Sequence, residues 1–170
     1  DAPLSYLRDF RVTDSTCLLD GEGNGNAVGI SIVRGVNFTL DDTTFVNSCL
    51  RIKAEGLTSV TNNKWTKGTD NTQSIFDGTG GGLGAGNFLE FTGNLFARAG
   101  GVVFGDAAIH MQNYTRVRAD NVVRGNSIGY AYRFTNNYRI ELGAGLIYDI
   151  TVGEFIETST ATLVRLYNVP

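Results

Sequence analysis

Apolar and polar residues alternate with a period of two along much of the chain. No stretch of ten or more residues carries the three- and four-residue apolar spacing of an amphipathic helix. The alternating runs are rich in Val, Ile, Phe, Tyr and Thr, and Gly, Asn and Asp bound them, which predicts short strands joined by tight turns. The clearest runs are at Ile30 and Ile32, at Leu50, Ile52 and Ala54, at 128–134 and at 138–142.

Asparagine or aspartate recurs between apolar residues, most clearly at Asn62, Asn94, Asn113 and Asn136. Asn tolerates the left-handed backbone conformation, and its side chain can bond its own backbone at a sharp corner. If such corners stack coil upon coil, each amide can also pair with the amide of the next coil. We therefore expect these four residues to be turn or ladder residues, each with left-handed backbone or a side-chain bond to a neighbouring turn.

This pattern, between about residues 28 and 168, resembles the right-handed parallel β-helix proteins, in particular the short-stranded solenoids of bacteriophage tail spikes and related virion proteins. The resemblance implies an all-β fold built as a short parallel β-helix, or β-solenoid. The corner residues are unevenly spaced, which departs from the steadier coil length of a regular β-helix. An antiparallel β-sandwich or jelly roll with Gly- and Asn-rich hairpin turns is therefore the alternative fold.

The length of 170 residues and the 42% hydrophobic content predict one β domain, covering residues 1–170, with one core. The charged fraction of 18% is low and Gly is abundant at 22 residues, which is typical of strand-and-turn proteins. The glycine run at 78–86 and the polar stretch before it predict a Gly-rich surface loop near 62–87. That loop would include the single tryptophan, Trp65.

The net charge of −3 gives no positive field that would draw the chain onto nucleic acid. Apolar runs are only a few residues long, so we expect no membrane-spanning segment. The chain begins at Asp1 without a Met, so either a leader is removed or the sequence is part of a longer one. Cys17 and Cys49 are compatible with one disulfide or with two reduced thiols, and both alternatives stay open.

Phosphate, metal and cofactor motifs are weak in this sequence. The glycine run lacks the Gly-Lys-Ser/Thr ending of a phosphate-binding loop. Residues 20–26 alternate oxygen side chains like a calcium loop, but Ser31 stands where such a loop has its bidentate Glu, which favours a polar turn. We therefore predict no cofactor and no metal.

His110 is the only histidine, and it lies between Ile109 and Met111 in a strand-like run. Alternation places it on the opposite side from both neighbours, which favours a surface or interface residue over a catalytic base. No pair of carboxylates is singled out by spacing for glycoside cleavage. The prediction is that the chain has no catalytic residues and is not an enzyme, with polysaccharide cleavage as the minority alternative.

Arginine and tyrosine interleave in one segment, a combination enriched in contacts between subunits. We predict that they form an interface, and that reversing the charges of Arg116 and Arg118 together weakens assembly while leaving the fold intact. The interface candidates are Arg116, Arg118, Arg124, Tyr114, Tyr130 and Tyr132.

These observations, with the resemblance, lead to an expected structural function on the surface of a virion. The chain is expected to form a homotrimer, because a short β stack exposes sheet edges that association covers. It would be a capsid decoration (cement) protein or a segment of a tail spike or fibre, with other virion proteins and a host surface glycan as further partners. The alternatives are a polysaccharide-binding or polysaccharide-cleaving tail-spike domain and an extracellular adhesin or pilus-type subunit.

Overall fold

The computed structural model describes residues 7–18, 28–46, 48–67, 75–80, 86–98, 104–143, 145, 147–157 and 163–166. Regular secondary structure within these ranges is entirely β. The strands are β1 (Leu7–Thr13), β2 (Thr16–Leu18), β3 (Val28–Asp41), β4 (Thr44–Val46), β5 (Cys49–Thr61), β6 (Lys64–Lys67), β7 (Phe76–Gly80), β8 (Phe88–Arg98), β9 (Phe104–Gln112), β10 (Arg116–Thr135), β11 (Arg139–Leu142), β12 (Ile147–Glu157) and β13 (Leu163–Leu166). No helix in the described residues is long and apolar enough to cross a membrane.

All strand pairings between the described residues are parallel, and each strand pairs with the strand one coil further along the chain. The first face of the resulting β-solenoid consists of residues 28–32 and 49–54, β7, β9, and residues 128–135 and 150–157. The second face consists of β1, residues 35–41, 57–61, 88–92 and 116–120, β11 and β13. The third face consists of β2, β4, β6, and residues 94–98, 121–124 and 147–148. The prediction of an all-β parallel solenoid is confirmed, and the antiparallel alternative is wrong.

Long strands bend at the corners between faces, so that a single strand serves two of them. β5 bends at Gly56, whose φ is 73°, because residues before this point pair with β7 and residues after it pair with β8. β8 bends in the same way at Gly93, whose φ is 67°. A Cβ at Gly93 would lie 2.6 Å from Asn62 Oδ1, so this corner requires glycine both for its backbone and for its space.

The third face places one large inward side chain in each of three successive coils. Phe45, Trp65 and Phe96 are neighbours in the parallel register and all are buried. The ring of Trp65 lies parallel to both, with centroid distances of 4.9 Å to Phe45 and 4.6 Å to Phe96. Stacked rings add roughly 0.5–1.5 kcal/mol per pair to the free energy of burial. This column therefore ties three coils together in the centre of the molecule.

The position of Trp65 corrects the predicted surface loop near residues 62–87. Residues 64–67 and 76–80 are strands, and Trp65 belongs to the core. The polar neighbours Lys64 and Thr66 lie on the other side of the same short strand, which made the segment resemble a loop in sequence. The rest of the predicted loop, at 68–74 and 81–85, lies outside the described residues.

A ladder of buried asparagines marks the corner where the second face turns into the third. Asn63 Nδ2 donates to Asn94 Oδ1 at 3.0 Å, and Asn94 Nδ2 donates to Asn121 Oδ1 at 2.8 Å. Each of these side-chain oxygens also accepts a backbone N–H of the preceding coil. Asn63 Oδ1 accepts the N–H of Thr43 at 2.9 Å, and Asn94 Oδ1 accepts the N–H of Asn63 at 3.0 Å. The amides thus satisfy buried backbone groups that the bend removes from the sheet.

The residues directly before Asn63 and Asn94 carry the left-handed backbone. Asn62 has a φ of 56° directly before Asn63, and Gly93 directly precedes Asn94. The corner between the first and second faces repeats this arrangement, with left-handed Asn136 before the buried Asn137, whose Oδ1 accepts the backbone N–H of Tyr114 at 3.0 Å. These three corners therefore use two adjacent positions, one exposed and left-handed, and one buried and hydrogen-bonded.

Candidate functional site

An open groove of about 390 Å³ lies on the second face, and we call it the second-face groove. Leu57, Phe88 and Arg116 are consecutive neighbours across β5, β8 and β10, and their side chains project outward. Leu57 is 49% exposed and Phe88 is 44% exposed, so two large apolar side chains lie together in contact with solvent. The residues that line the groove are Leu57, Phe88, Leu89, Glu90, Arg116 and Arg118.

Arg118 and Glu90 give the second-face groove one exposed charge of each sign. They are register partners, and Arg118 Nη1 lies 3.8 Å from Glu90 Oε1. The side chains are 62% and 43% exposed, and an ion pair so open to water contributes little to stability. Both charges are therefore available to a partner at low cost to the fold.

Arg116 differs from Arg118, because it holds a buried carboxylate. Arg116 Nη2 lies 2.7 Å from Glu141 Oε2, and Arg139 Nη2 lies 2.5 Å from Glu141 Oε1. The hydrogen bond from Arg116, together with the positive charges of both guanidiniums, lowers the pKa of Glu141 although burial acts in the opposite direction. A glutamate at position 116 would face this buried carboxylate, so we expect the reversal of Arg116 to reduce stability, in contrast to the reversal of Arg118.

The tyrosines predicted to join the arginines in an interface are not on the same surface. Tyr114 and Tyr132 are buried in the core, and burial raises the pKa of both phenols well above its usual range. The Tyr132 hydroxyl accepts a hydrogen bond from Asn121 Nδ2 at 3.0 Å, which ties it to the corner ladder. Tyr130 is half-buried on the first face, and Arg124 is exposed on the third. Only Arg116 and Arg118 belong to the second-face groove, because the corners divide this segment among three faces.

The corner asparagines predicted from the sequence occupy two different positions. Asn62, Asn113 and Asn136 have φ values of 56°, 60° and 53°, and they are the left-handed residues of their corners. Asn94 is a rung of the buried ladder. Sequence reasoning did not single out Asn63 and Asn137 as buried rungs, although the doubled asparagines at 62–63 and 136–137 carry the signal.

A polar cluster lies on the first face, where Asp77, His110 and Thr135 come from β7, β9 and β10. His110 Nδ1 lies 3.2 Å from Asp77 Oδ1, and His110 Nε2 lies 3.1 Å from Thr135 Oγ1. The His110 side chain is 20% exposed and lies on the opposite side of β9 from the buried Ile109 and Met111. Sequence reasoning missed both partners, because they are separated from His110 by whole coils and no motif connects them.

Metal-ligand clusters are absent from the part of the chain that the structure describes: it contains no group of three or more His, Cys, Asp or Glu side chains that could hold an ion. The calcium-like segment 20–26 lies outside the described residues. Cys17 and Cys49 are not joined by a disulfide. The candidate sites on the described faces are therefore the second-face groove and the His110 cluster.

Comparison with known proteins gives no relative from which a function could be taken. No family model, no curated protein and no solved structure matches the chain. The fold itself defines the class, a parallel β-solenoid with two distinct outer sites.

Proposed function

We propose that the chain is a structural protein on the surface of a bacteriophage particle, where it works by assembling with copies of itself. It would be a homotrimeric capsid decoration (cement) protein, or a segment of a tail spike or fibre. The virion assignment rests on the resemblance of its sequence pattern to tail-spike solenoids. The observation that carries the assembly role is the exposed pair Leu57 and Phe88 beside Arg118 and Glu90.

The proposed occupant of the second-face groove is a second copy of this chain. Apolar side chains at the centre with charges at the edge are the usual arrangement of subunit interfaces. Since Arg118 and Glu90 carry opposite charges and both are exposed, Arg118 of one copy can pair with Glu90 of the next copy around a threefold axis. Closed rotational symmetry limits the assembly, and threefold symmetry fits both capsid sites and spikes.

Native mass spectrometry and light scattering at micromolar concentration test this proposal. The expected result is the mass of three chains for the wild type and a shift toward one chain for Arg118→Glu and for Phe88→Thr. Arg118→Glu removes the charge complementarity, and Phe88→Thr removes the exposed ring while keeping a residue that favours strands.

Lys53→Glu is the matched control, because Lys53 is exposed on the first face and its reversal changes the net charge equally. It should leave the assembly unchanged. A wild type that remains a monomer under these conditions, or a trimer that Arg118→Glu and Phe88→Thr both leave intact, contradicts the use of the groove for self-association.

Polysaccharide binding is the second candidate, favoured by the volume of the groove. About 390 Å³ falls within the range of small-molecule sites, which is roughly 300–1,000 Å³. A monomer that binds a host surface glycan, and loses binding in Phe88→Thr, would support this role. The adhesin alternative has less support, because an extracellular subunit with two cysteines is expected to join them, and Cys17 and Cys49 are not joined.

A further inference from the structure

The His110 cluster has the connectivity of a nucleophilic triad. One imidazole nitrogen of His110 faces the carboxylate of Asp77 at 3.2 Å, and the other faces the hydroxyl of Thr135 at 3.1 Å. An ionised carboxylate can only accept hydrogen bonds, so Asp77 favours the tautomer with the proton on Nδ1. Nε2 is then the acceptor for the hydroxyl proton of Thr135, which is the arrangement that activates a nucleophile.

The sheet register holds the three groups in place. β7 and β9 pair Asp77 with His110, while β9 and β10 pair Gln112 with Thr135. Asp77 Oδ1 is a buried atom, and its contact with His110 lacks the angle of a well-aligned hydrogen bond. Catalytic hydrogen bonds are often long or poorly aligned before substrate binds, and they tighten in the complex.

We propose that Asp77, His110 and Thr135 form an acyl-transfer site that hydrolyses short-chain esters. This inference goes beyond the proposed assembly role and departs from the prediction that the chain is not an enzyme. It does not depend on the second-face groove, since the cluster lies on the first face. An ester carried by a larger molecule fits best, because the cluster lies on the outer face of a sheet, where an extended polymer can reach it.

The reaction requires only the side chains of Asp77, His110 and Thr135, the ester and water. Thr135 Oγ1 attacks the carbonyl carbon while His110 Nε2 takes the hydroxyl proton. The bond between that carbon and the alkoxy oxygen then breaks, and Nε2 returns the proton to the leaving alcohol. Water attacks the acyl-threonine, giving a proton to Nε2, and the bond to Oγ1 breaks as that proton restores the hydroxyl.

Gln112 supplies a candidate donor for the oxyanion of this reaction. Its amide carries two N–H donors, and Nε2 donates one of them to Thr79 Oγ1 at 2.7 Å. Gln112 lies on β9 between Thr79 on β7 and Thr135 on β10, and it is the register partner of both. The amide bonded to Thr79 must therefore turn toward Thr135 to reach the oxyanion. Removing one such donor typically reduces the rate by about 100–1,000-fold.

The test uses p-nitrophenyl acetate as the ester and an alkyl fluorophosphonate as the covalent probe, each with the full-length chain. We expect ester hydrolysis to fall about 100-fold in His110→Ala and in Thr135→Val, the size of effect usual for a general base. The fluorophosphonate should form one adduct on Thr135, with a bond from Oγ1 to phosphorus and loss of fluoride. Peptide mass spectrometry should find this adduct in the wild type and in Thr135→Ser but not in His110→Ala.

Thr61→Val is the matched control, because the Thr61 hydroxyl is likewise hydrogen-bonded on a strand, but to the carboxylate Asp41 Oδ1 at 2.7 Å and not to a histidine. It should retain full hydrolysis and labelling. Thermal melting shows that each variant is folded, and a merely structural cluster would alter melting without any acylation of Thr135. A wild type that forms no adduct at Thr135 and hydrolyses the ester no faster than His110→Ala overturns the proposal.

Discussion

The guanidinium of Arg116 lies 2.7 Å from the carboxylate of Glu141, and this contact joins the exposed second-face groove to a buried charge. The Glu141 side chain is only 7% exposed, and its oxygens also face Arg139. A carboxylate removed from water in this way depends on its cationic partners. Arg116 is therefore partly a structural residue, whereas Arg118 is available to a partner.

The first prediction contrasts charge reversal at these two arginines. Arg116→Glu should reduce the free energy of unfolding by about 2–3 kcal/mol, because it leaves Glu141 with one cation and adds a like charge. Arg118→Glu should change it by no more than about 1 kcal/mol, since that pair is exposed. Urea denaturation followed by circular dichroism measures both. Equal losses in the two variants would contradict the structural role of Arg116.

The second prediction concerns the pH dependence of stability through Glu141. The pKa of this carboxyl is lowered in the folded state, so its stabilising contribution is fully present above the unfolded pKa of about 4.3. It is lost progressively as the pH falls below that value through the lowered folded pKa. The difference in the free energy of unfolding between wild type and Glu141→Gln should be constant between about pH 5 and about pH 7. It should shrink below about pH 4. A difference that does not change with pH would show that Glu141 is not the group responsible.

The third prediction separates the two kinds of corner asparagine by making the same substitution at each. Asn62→Gly should change stability by only a few tenths of a kcal/mol, because glycine readily adopts the φ of 56° found there. Asn94→Gly should cost at least about 2 kcal/mol, because it leaves the buried backbone N–H of Asn63 without its acceptor and removes one of the two donors to Asn121 Oδ1. Thermal melting of both variants measures this, and similar losses would refute the distinction.

The fourth prediction uses the only tryptophan as a probe of the core. Trp65 is stacked between Phe45 and Phe96, so its native emission should resemble that of a buried indole and be protected from acrylamide. Trp65→Ala should cost about 3–5 kcal/mol, whereas Trp65→Phe should cost less because an aromatic ring remains in the column. Fluorescence emission typical of a solvent-exposed indole in the folded protein would contradict the buried position of Trp65 and favour the surface loop that the sequence predicted.

The strand content and the solenoid follow from properties that lie close together in the sequence. Alternation such as Leu50, Ile52 and Ala54 predicts strands because inward residues repeat every second position. Asn62 and Asn136 mark corners because the left-handed conformation favours asparagine wherever it occurs. Neither feature depends on which coil lies next to which, so the local sequence pattern was sufficient to predict both.

The same local pattern misplaced residues whose position depends on the core. Trp65 is flanked by Lys64 and Thr66, and in sequence this resembles a polar loop. Tyr114 and Tyr132 interleave with arginines and resemble an interface. Trp65 lies on a four-residue strand and Tyr114 at a corner, and such segments are too short to show alternation. Tyr132 belongs to the alternating run 128–134, and only the tertiary structure shows that its side of the strand faces the core.

The contacts that carry the candidate chemistry were decided by the tertiary structure alone. Ladder partners are 20, 31 and 27 residues apart at successive coils, so no fixed repeat shows which residues stack. His110 meets Asp77 and Thr135, and Arg116 meets Glu141, only because the parallel pairing places these residues in adjacent coils. The sequence by itself determined the strands and the left-handed corners, since both are local backbone preferences. Which side chains face one another across the coils was determined by folding, because a parallel solenoid brings together residues that are a whole coil apart in the chain.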